Sequence, residues 1–547
     1  MVVPELRPWQ SAKPRVRKIA DAVRPGLARV VTAVKPQVKR LRRLVGAQLA
    51  RLGRVGGPRP AGPTRPPRPR TVGTWRYTAG AVTAGLALAA GAVTAAGPWD
   101  ASGQRTAERD RAAAPHRTGG ADHGSGVAAG EPDPAPSAGS VLTGLGTATN
   151  TVKSAPSGEP AGITGTAVTD LLGPLLDSSA LGGTRTAVVV DVATGRRLYG
   201  TGADTALTPA STTKIATAVA ALSALGPDHR ITTRAALEPG TREVVLVGGG
   251  DPTLTARKDP DGWASLRDLA ARTAKSLTER GIRQITLSYD TTLYSGPDQH
   301  PIGVNENLAR VSPLIADEAR SNGSVSGPAT RVADPGADAA RQFAGFLAQA
   351  GIKTSAPGTS KSSSRADTLA TVTSPPLSAI VERMLTNSDN DIAEALARQT
   401  ALASGGPASF AGGAAAIHAQ LAKLGLPMAG AAFHDGSGLN RDDKLTANLL
   451  TALLVKAADA DRPGLRTVLT GLPVAGFTGT LAARYRDGAA GVVRAKTGTL
   501  TGVNTLAGTV VDKDGRLLAF AFLTAGTTNP PEAQAALDRT ATALAGL

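Results

Sequence analysis

The chain has 547 residues with 60 Lys/Arg against 43 Asp/Glu, a formal charge of +17, and it contains six histidines and no cysteine. Disulfides, thiolate nucleophiles and Cys-ligated zinc or iron–sulfur centres are therefore excluded. No two histidines stand at the i, i+4 spacing of a helical metal site, so no metal or cofactor is expected. The excess charge is local: residues 1–76 carry 19 Lys/Arg against Glu5 and Asp21, which leaves the rest of the chain formally neutral.

Residues 1–76 read as a basic cytoplasmic tail. Within it Val38, Leu41, Leu44, Val45, Leu49 and Leu52 recur at helical spacing among Lys39, Arg40, Arg42, Arg43 and Arg51. That pattern suits a helix lying on an anionic membrane leaflet. A nucleic-acid arm is the competing reading of the same charge. It ranks second because the tail supplies no folded reader, and no nucleic-acid partner is expected.

Residues 77–98 carry no charge. At about 1.5 Å per residue such a helix crosses a ~30 Å hydrocarbon layer. Trp75 and Trp99 bracket the segment, and the arginines before it place the N-terminus in the cytoplasm. The expectation is a single-pass anchor in the cell membrane with the remainder outside. Cleavage after Val93-Thr94-Ala95, giving a secreted protein, is one alternative; a buried Ala-rich helix is another. Residues 99–164 are rich in Ala, Gly, Pro, Ser and Thr and form a disordered linker.

Order is expected from residue 165. Leu171, Leu172, Leu175 and Leu176 fit a short helix, and 186–191 and 196–199 read as a hairpin turned by Ala193-Thr194-Gly195. Residues 214–222 lack Gly and Pro and read as a helix with Ser211 in its first turn. The interval from Ser211 to Ser388 exceeds what a direct connection needs, and 232–370 reads as an inserted, mainly-β domain with strands at 244–247 and 284–289. Its Gly248-Gly249-Gly250 lacks the Gly-Lys-Ser/Thr ending of a phosphate loop and reads as a turn. Strands are expected at 492–499, 504–511 and 516–524, with a closing helix at 531–547. An N-terminal hairpin and C-terminal strands around a helical middle imply an α+β fold: one antiparallel sheet sewn from both chain ends, 165–231 and 371–547, flanked by helices.

Three short patterns carry chemistry, and each occurs once: Ser211-Thr212-Thr213-Lys214, Ser388-Asp389-Asn390 and Lys496-Thr497-Gly498. At i+3 on a helix Lys214 lies over Ser211, within reach of its hydroxyl. A serine is a weak nucleophile until a base takes its proton, and Lys214 is the base at hand. It must be neutral to act, which requires burial or a second cation; Lys496 is the candidate cation. Ser388 is placed to pass protons between Lys214 and a leaving amine, and Asn390 offers a carboxamide to a substrate peptide group. On a strand Lys496 and Gly498 face one way while Thr497 and Thr499 face the other. A strand glycine marks close approach of a ligand or another backbone. The strand can add an extended substrate to its edge, and the N–H groups of Ser211 and Thr499 are candidate oxyanion donors.

At these residues the chain resembles the D-alanyl-D-alanine carboxypeptidase/endopeptidase family, the low-molecular-mass class C penicillin-binding proteins. The resemblance spans about residues 165–547. It extends to Leu246-Val247-Gly248-Gly249-Gly250-Asp251-Pro252-Thr253-Leu254, Asp435-Gly436-Ser437-Gly438-Leu439 and Gly479-Thr480-Leu481. It implies a β-lactamase/transpeptidase-like fold, peptidoglycan stem peptides as substrate and covalent binding of β-lactam antibiotics. It further implies Ser211 as nucleophile, Lys214 as base, and Ser388, Asn390 and Lys496 completing proton transfer and substrate binding. Thr497 and Thr499 would hold the terminal carboxylate beside Gly498. A β-lactamase would need a deacylating group, and no Glu-x-x-Leu-Asn run lies between the second and third motifs. A silent wall-binding scaffold is the non-enzymatic alternative.

Overall fold

The computed structural model describes residues 164–485 and 488–547. The expected tail, membrane span and all but the last residue of the linker lie outside the described residues. Among the described residues no helix is long and apolar enough to cross a membrane.

The chain enters through helix α1 (Gly165–Leu176), capped by the Thr164 side chain, and then strands β1 (Thr184–Asp191) and β2 (Arg197–Thr201). A short 3-10 turn, Ala210–Thr212, leads into helix α2 (Thr213–Leu225). Strands β3 (Thr232–Leu237) and β4 (Glu243–Val247), helix α3 (Leu266–Glu279) and strand β5 (Gln284–Asp290) follow. Next come helix α4 (Pro335–Gln349) and strands β6 (Lys353–Thr354), β7 (Gly358–Thr359) and β8 (Asp367–Thr373). The chain returns through helices α5 (Leu377–Asn387), α6 (Asn390–Ala403), α7 (Phe410–Lys423) and α8 (Ala447–Ala458). It closes with β9 (Val493–Leu500), β10 (Val503–Val511), β11 (Leu517–Ala525) and helix α9 (Pro530–Ala545).

Both chain ends meet in one antiparallel sheet of order β2-β1-β11-β10-β9, in which Val188 faces Ala521 and Ala507 faces Lys496. Successive strand residues point to opposite faces. Val188, Val190, Ala519, Ala521 and Leu523 pack on α2, α5, α6 and α8, while Val189, Leu506, Val510, Phe520 and Phe522 pack on α1 and α9. Each large side chain so buried contributes about 1.5–3 kcal/mol. Helix α2 lies inside the first of these layers and is buried at every position from Thr213 to Leu222. Its run of Ala, Thr, Val and Ile lets neighbours approach from all sides, so whatever its first turn carries is taken out of water.

The insertion is not mainly β. Its sheet, of order β6-β5-β4-β3-β8, pairs β4, β5 and β6 in parallel and carries α3 and α4 on its core. Parallel neighbours need a crossover, and α3 supplies the one between β4 and β5. Helix α3 buries Leu266, Leu269, Ala270, Ala274 and Leu277 along one stripe, behind a Ser265 cap. Strand β8 also runs on to Thr373, past the boundary expected at 370.

The glycine triplet does more than turn the chain. It is the seam at which the insertion meets α6. Gln399 on α6 donates to Gly249 O at 2.8 Å, and a Cβ on Gly249 would stand 1.9 Å from Thr232 O. Because the obstruction is backbone, Gly249→Ala should lower the thermal midpoint of the full chain by the equivalent of roughly 1–3 kcal/mol, as overpacking does. An unchanged melting curve would contradict the close approach of Gly249 to the start of β3.

Candidate active site

Ala210 holds φ 48, an αR-forbidding turn that delivers Ser211 from a 3-10 turn rather than from the α-helix proper. Lys214 follows in the first turn of α2 with no exposed surface. Its Nζ donates to Ser211 Oγ at 2.9 Å, to Asn390 Oδ1 at 2.6 Å and to the main-chain oxygen of Ser437 at 2.6 Å. None of these acceptors is a carboxylate.

The second motif lies between two helices instead of at a loop-to-helix junction. Ser388 ends α5 in the left-handed region (φ 58), and the Asp389 side chain caps α6 by accepting from Ile392 N at 3.1 Å. Such a conformation is costly for a non-glycine residue. It divides the labour within the motif: Asp389 is structural, while Ser388 and Asn390 face the two lysines.

Lys496 is buried on β9 and donates to Ser388 Oγ and Thr497 O, both at 2.8 Å. Ser388 is thus bonded to Lys496, not to Lys214 as its expected relay role requires. Gly498 sits opposite Thr505 on β10, and a Cβ there would meet Thr505 Oγ1 at 2.1 Å and Pro209 O at 2.7 Å. The strand glycine therefore marks the approach of the backbone that carries Ser211. Thr497 is half-buried and bonded to Thr480 Oγ1 at 3.1 Å, and Thr499 is exposed. Strand β9 is the outermost strand of its sheet; residues 473–475 pair with its first half, through Ala495 N to Pro473 O and Ala475 N to Val493 O, which leaves the outer edge beyond Ala495 for a further strand.

Burial holds the Lys214 amine down at about 8 from 10.5, against the pull of Asp435, Asp389, Glu394 and Asp391, which favours its charged form. That fall is worth roughly 3 kcal/mol toward the neutral amine. Of the two expected causes, burial and a cationic Lys496, burial is the one that acts on Lys214. The repulsion instead registers on Lys496, which lies well below its ordinary value through burial, then through the charges of Lys214 and Arg484.

Beneath the lysines is a buried carboxylate network. Glu394 Oε1 accepts from Gly436 N and Ser437 N at 3.1 and 2.9 Å, and Asp435 accepts from Ser437 N, Gly438 N and Asn440 N. Asp435 is desolvated, yet donors that include His300 and a protonated Asp443 bring it down to about 2; Asp443, buried beside it, is pushed up to about 10. His300, Glu394 and Asp435 offer atoms within 4.8 Å of one another, as do Glu318, Asp389 and Asp391. Their donor atoms are committed elsewhere. His300 Nε2 bonds Asp435, and Arg320, Arg331 and Arg383 pair with Glu318 and Asp391. Both groups are braces.

The model of the D-Ala-D-Ala carboxypeptidase 3 (S13) family matches residues 168–322 and 318–544. A carboxypeptidase of Mycobacterium tuberculosis is 37% identical over 375 residues, covering 65% of this chain and 79% of that protein. The D-alanyl-D-alanine carboxypeptidase of an Actinomadura species is 31% identical over 438 residues, covering 65% and 80%. The chain belongs to this D-Ala-D-Ala carboxypeptidase family. Its fold is like that of penicillin binding protein 4 from Haemophilus influenzae, with a TM-score of 0.57 at 22% identity over 68% of this chain and 97% of that one.

Gly498→Ala tests the packing of β9 on the Ser211 turn. The added methyl should push the strand from Pro209 and lower stability by about 1–3 kcal/mol. Wild-type melting of the full-length variant would contradict this.

Proposed function

We propose that the chain is a serine D,D-peptidase of peptidoglycan, releasing the terminal D-Ala of stem peptides as a carboxypeptidase, opening D-Ala cross-links as an endopeptidase, or both. One observation carries the reading: a fully buried Lys214 whose Nζ lies 2.9 Å from Ser211 Oγ and is held down at about 8. Family membership supports the substrate class.

In the proposed cycle, neutral Lys214 takes the Ser211 proton as Oγ attacks the penultimate D-Ala carbonyl. The N–H groups of Ser211 and Thr499 receive the oxyanion. The substrate lies along β9 as an added strand, with its terminal carboxylate at Thr497 and Thr499 beside Gly498, and Asn390 contacts its peptide group. Lys496 and Ser388, bonded at 2.8 Å, deliver a proton to the leaving amine. Water then releases the acyl group: its proton passes to Ser388 and Lys496, restoring the one given to the amine, and Lys214 returns its proton to Ser211 Oγ as the ester bond breaks. A β-lactam enters by the same attack, but its leaving amine stays tethered, so the adduct persists. The charge and hydropathy pattern of residues 1–98 supports a single-pass membrane anchor with the enzyme outside the cell and the basic tail on the inner leaflet.

Intact-mass measurement of the full chain with benzylpenicillin should show one stable adduct that Ser211→Ala abolishes together with D-Ala release. Labelling of the variant, or adduct turnover too fast to trap, would contradict the assignment. Below about 8 Lys214 keeps its own proton and cannot accept another, so the acylation rate should climb with pH through a midpoint of about 8. A rate flat from about pH 5 to about pH 10 would contradict Lys214 as the base.

A further inference from the structure

Lys214 Nζ has three oxygen neighbours, and one loop of the insertion sets two of them. Residues 298–311 leave and re-enter through a closed neck, where Val311 N donates to Asp298 O at 2.8 Å and Arg310 pairs with Asp298 at 2.8 Å. Adjacent ends on a surface excursion of this length define an Ω-loop. It is tied down on both sides of Lys214.

The first tie is His300, which is 3% exposed. Its Nδ1 accepts from Ile302 N at 3.2 Å, so Nε2 carries the hydrogen and donates to Asp435 Oδ2 at 2.9 Å. Asp435 grips the N–H groups of Ser437, Gly438 and Asn440 at 3.0, 2.6 and 2.7 Å, which fixes the peptide whose oxygen receives Lys214. The second tie is main chain. Asn307 O accepts from Asn390 Nδ2 at 2.9 Å, and two residues on, Ala309 N donates to Asp391 Oδ1 at 2.9 Å. With its NH2 group committed to Asn307, the Asn390 carboxamide turns its oxygen to Lys214.

We propose that this loop orients the base: by holding Ser437 O and Asn390 Oδ1 in place, it occupies both N–H bonds of neutral Lys214 and leaves the lone pair directed at Ser211. The proposal rests on the assignment of Lys214 as base given above. A primary amine has two N–H bonds and one lone pair in a tetrahedral array. With two acceptors at 2.6 Å, the remaining direction is the one toward Ser211 Oγ at 2.9 Å. As the Oγ–acyl bond forms, the hydroxyl proton goes to Nζ, and the leaving amine gains a proton as its C–N bond breaks. His300 is a positioning residue, since it touches neither substrate nor reacting atoms. The charged groups around the pair are Asp435 and Glu394 near His300, and Asp435, Asp389, Glu394, Asp391 and Lys496 around Lys214. The edge of Phe410 packs on the imidazole at 5.1 Å between centroids.

The test measures acylation of the full-length protein by benzylpenicillin across the pH range. His300→Ala should lower the plateau rate by about 10- to 100-fold, the scale of a misoriented reacting group. It should also move the ascending limb to lower pH, because losing fixed acceptors destabilises the ammonium. A purely structural loosening would admit water and move the limb upward, toward 10.5. His300→Gln, whose amide can donate to Asp435, should recover most of the rate. If His300→Ala does not fold, His300→Phe, which fills the space without a donor, takes its place. Leu347→Val, in the insertion core, should lower the melting midpoint and leave the pH profile as in wild type. A donor-free variant with the wild-type profile, an upward shift, or His300→Gln no better than alanine would overturn the proposal. A wild-type chain that penicillin does not acylate would overturn the base assignment itself, and this proposal with it.

Discussion

The organising constraint is a lysine amine with no access to water and no carboxylate in contact. In the interior a charge survives only with compensation, and three neutral oxygens compensate Lys214 in part. The neutral amine gains what the cation loses. This requires α2 to be enclosed along its whole first two turns, which its small and β-branched side chains permit. It also requires the acidic groups nearby to keep their distance from Nζ. Glu394 Oε1 and Asp435 Oδ1 accept backbone N–H groups of one loop, their second oxygens face Arg398 and His300, and the carbonyl of that loop, not the carboxylates, meets the lysine.

The sheet and the insertion serve this arrangement from opposite sides. Strand β9 brings Lys496 to Ser388, while Gly498 lets the strand lie against the turn that carries Ser211. Residues 473–475 close the outer edge of β9 only as far as Ala495, so the part of the strand that follows the polar centre is the part left for a substrate. On the far side the insertion reaches across the second motif. Arg331 pairs with Asp391 at 2.8 Å, and Arg320 and Arg383 pair with Glu318, the middle of a run of three left-handed residues, Asp317, Glu318 and Ala319. Backbone strain of this kind persists only where surrounding contacts over-determine it.

What the sequence made legible was what depends on near neighbours along the chain. Strands expected at 492–499, 504–511 and 516–524 fall within a residue of β9, β10 and β11, since alternation and flanking turns are local signals. The i+3 spacing likewise brought Lys214 to Ser211. In the insertion, α3 and α4 carried readable starts, a Ser265 cap and an Asp334-Pro335 entry, but β-like runs beside them dominated the reading. That Lys214 needs burial or a second cation was legible, but which of the two acts was not, because desolvation is set by α5, α6 and the sheet and not by any residue in the motif. His300 was further still. A lone histidine 135 residues from Asp435 leaves no periodicity or spacing to find, and Asp435-Gly436-Ser437 was visible as a pattern without its use, the Ser437 carbonyl, being apparent.

The most direct measurement of the central claim is an NMR titration of the full chain with 13C-labelled lysine, the Lys214 Cε signal being assigned through its loss in Lys214→Arg. The account predicts that Lys214 titrates near about 8. Titration at the ordinary 10.5 would place the amine in water and contradict the account.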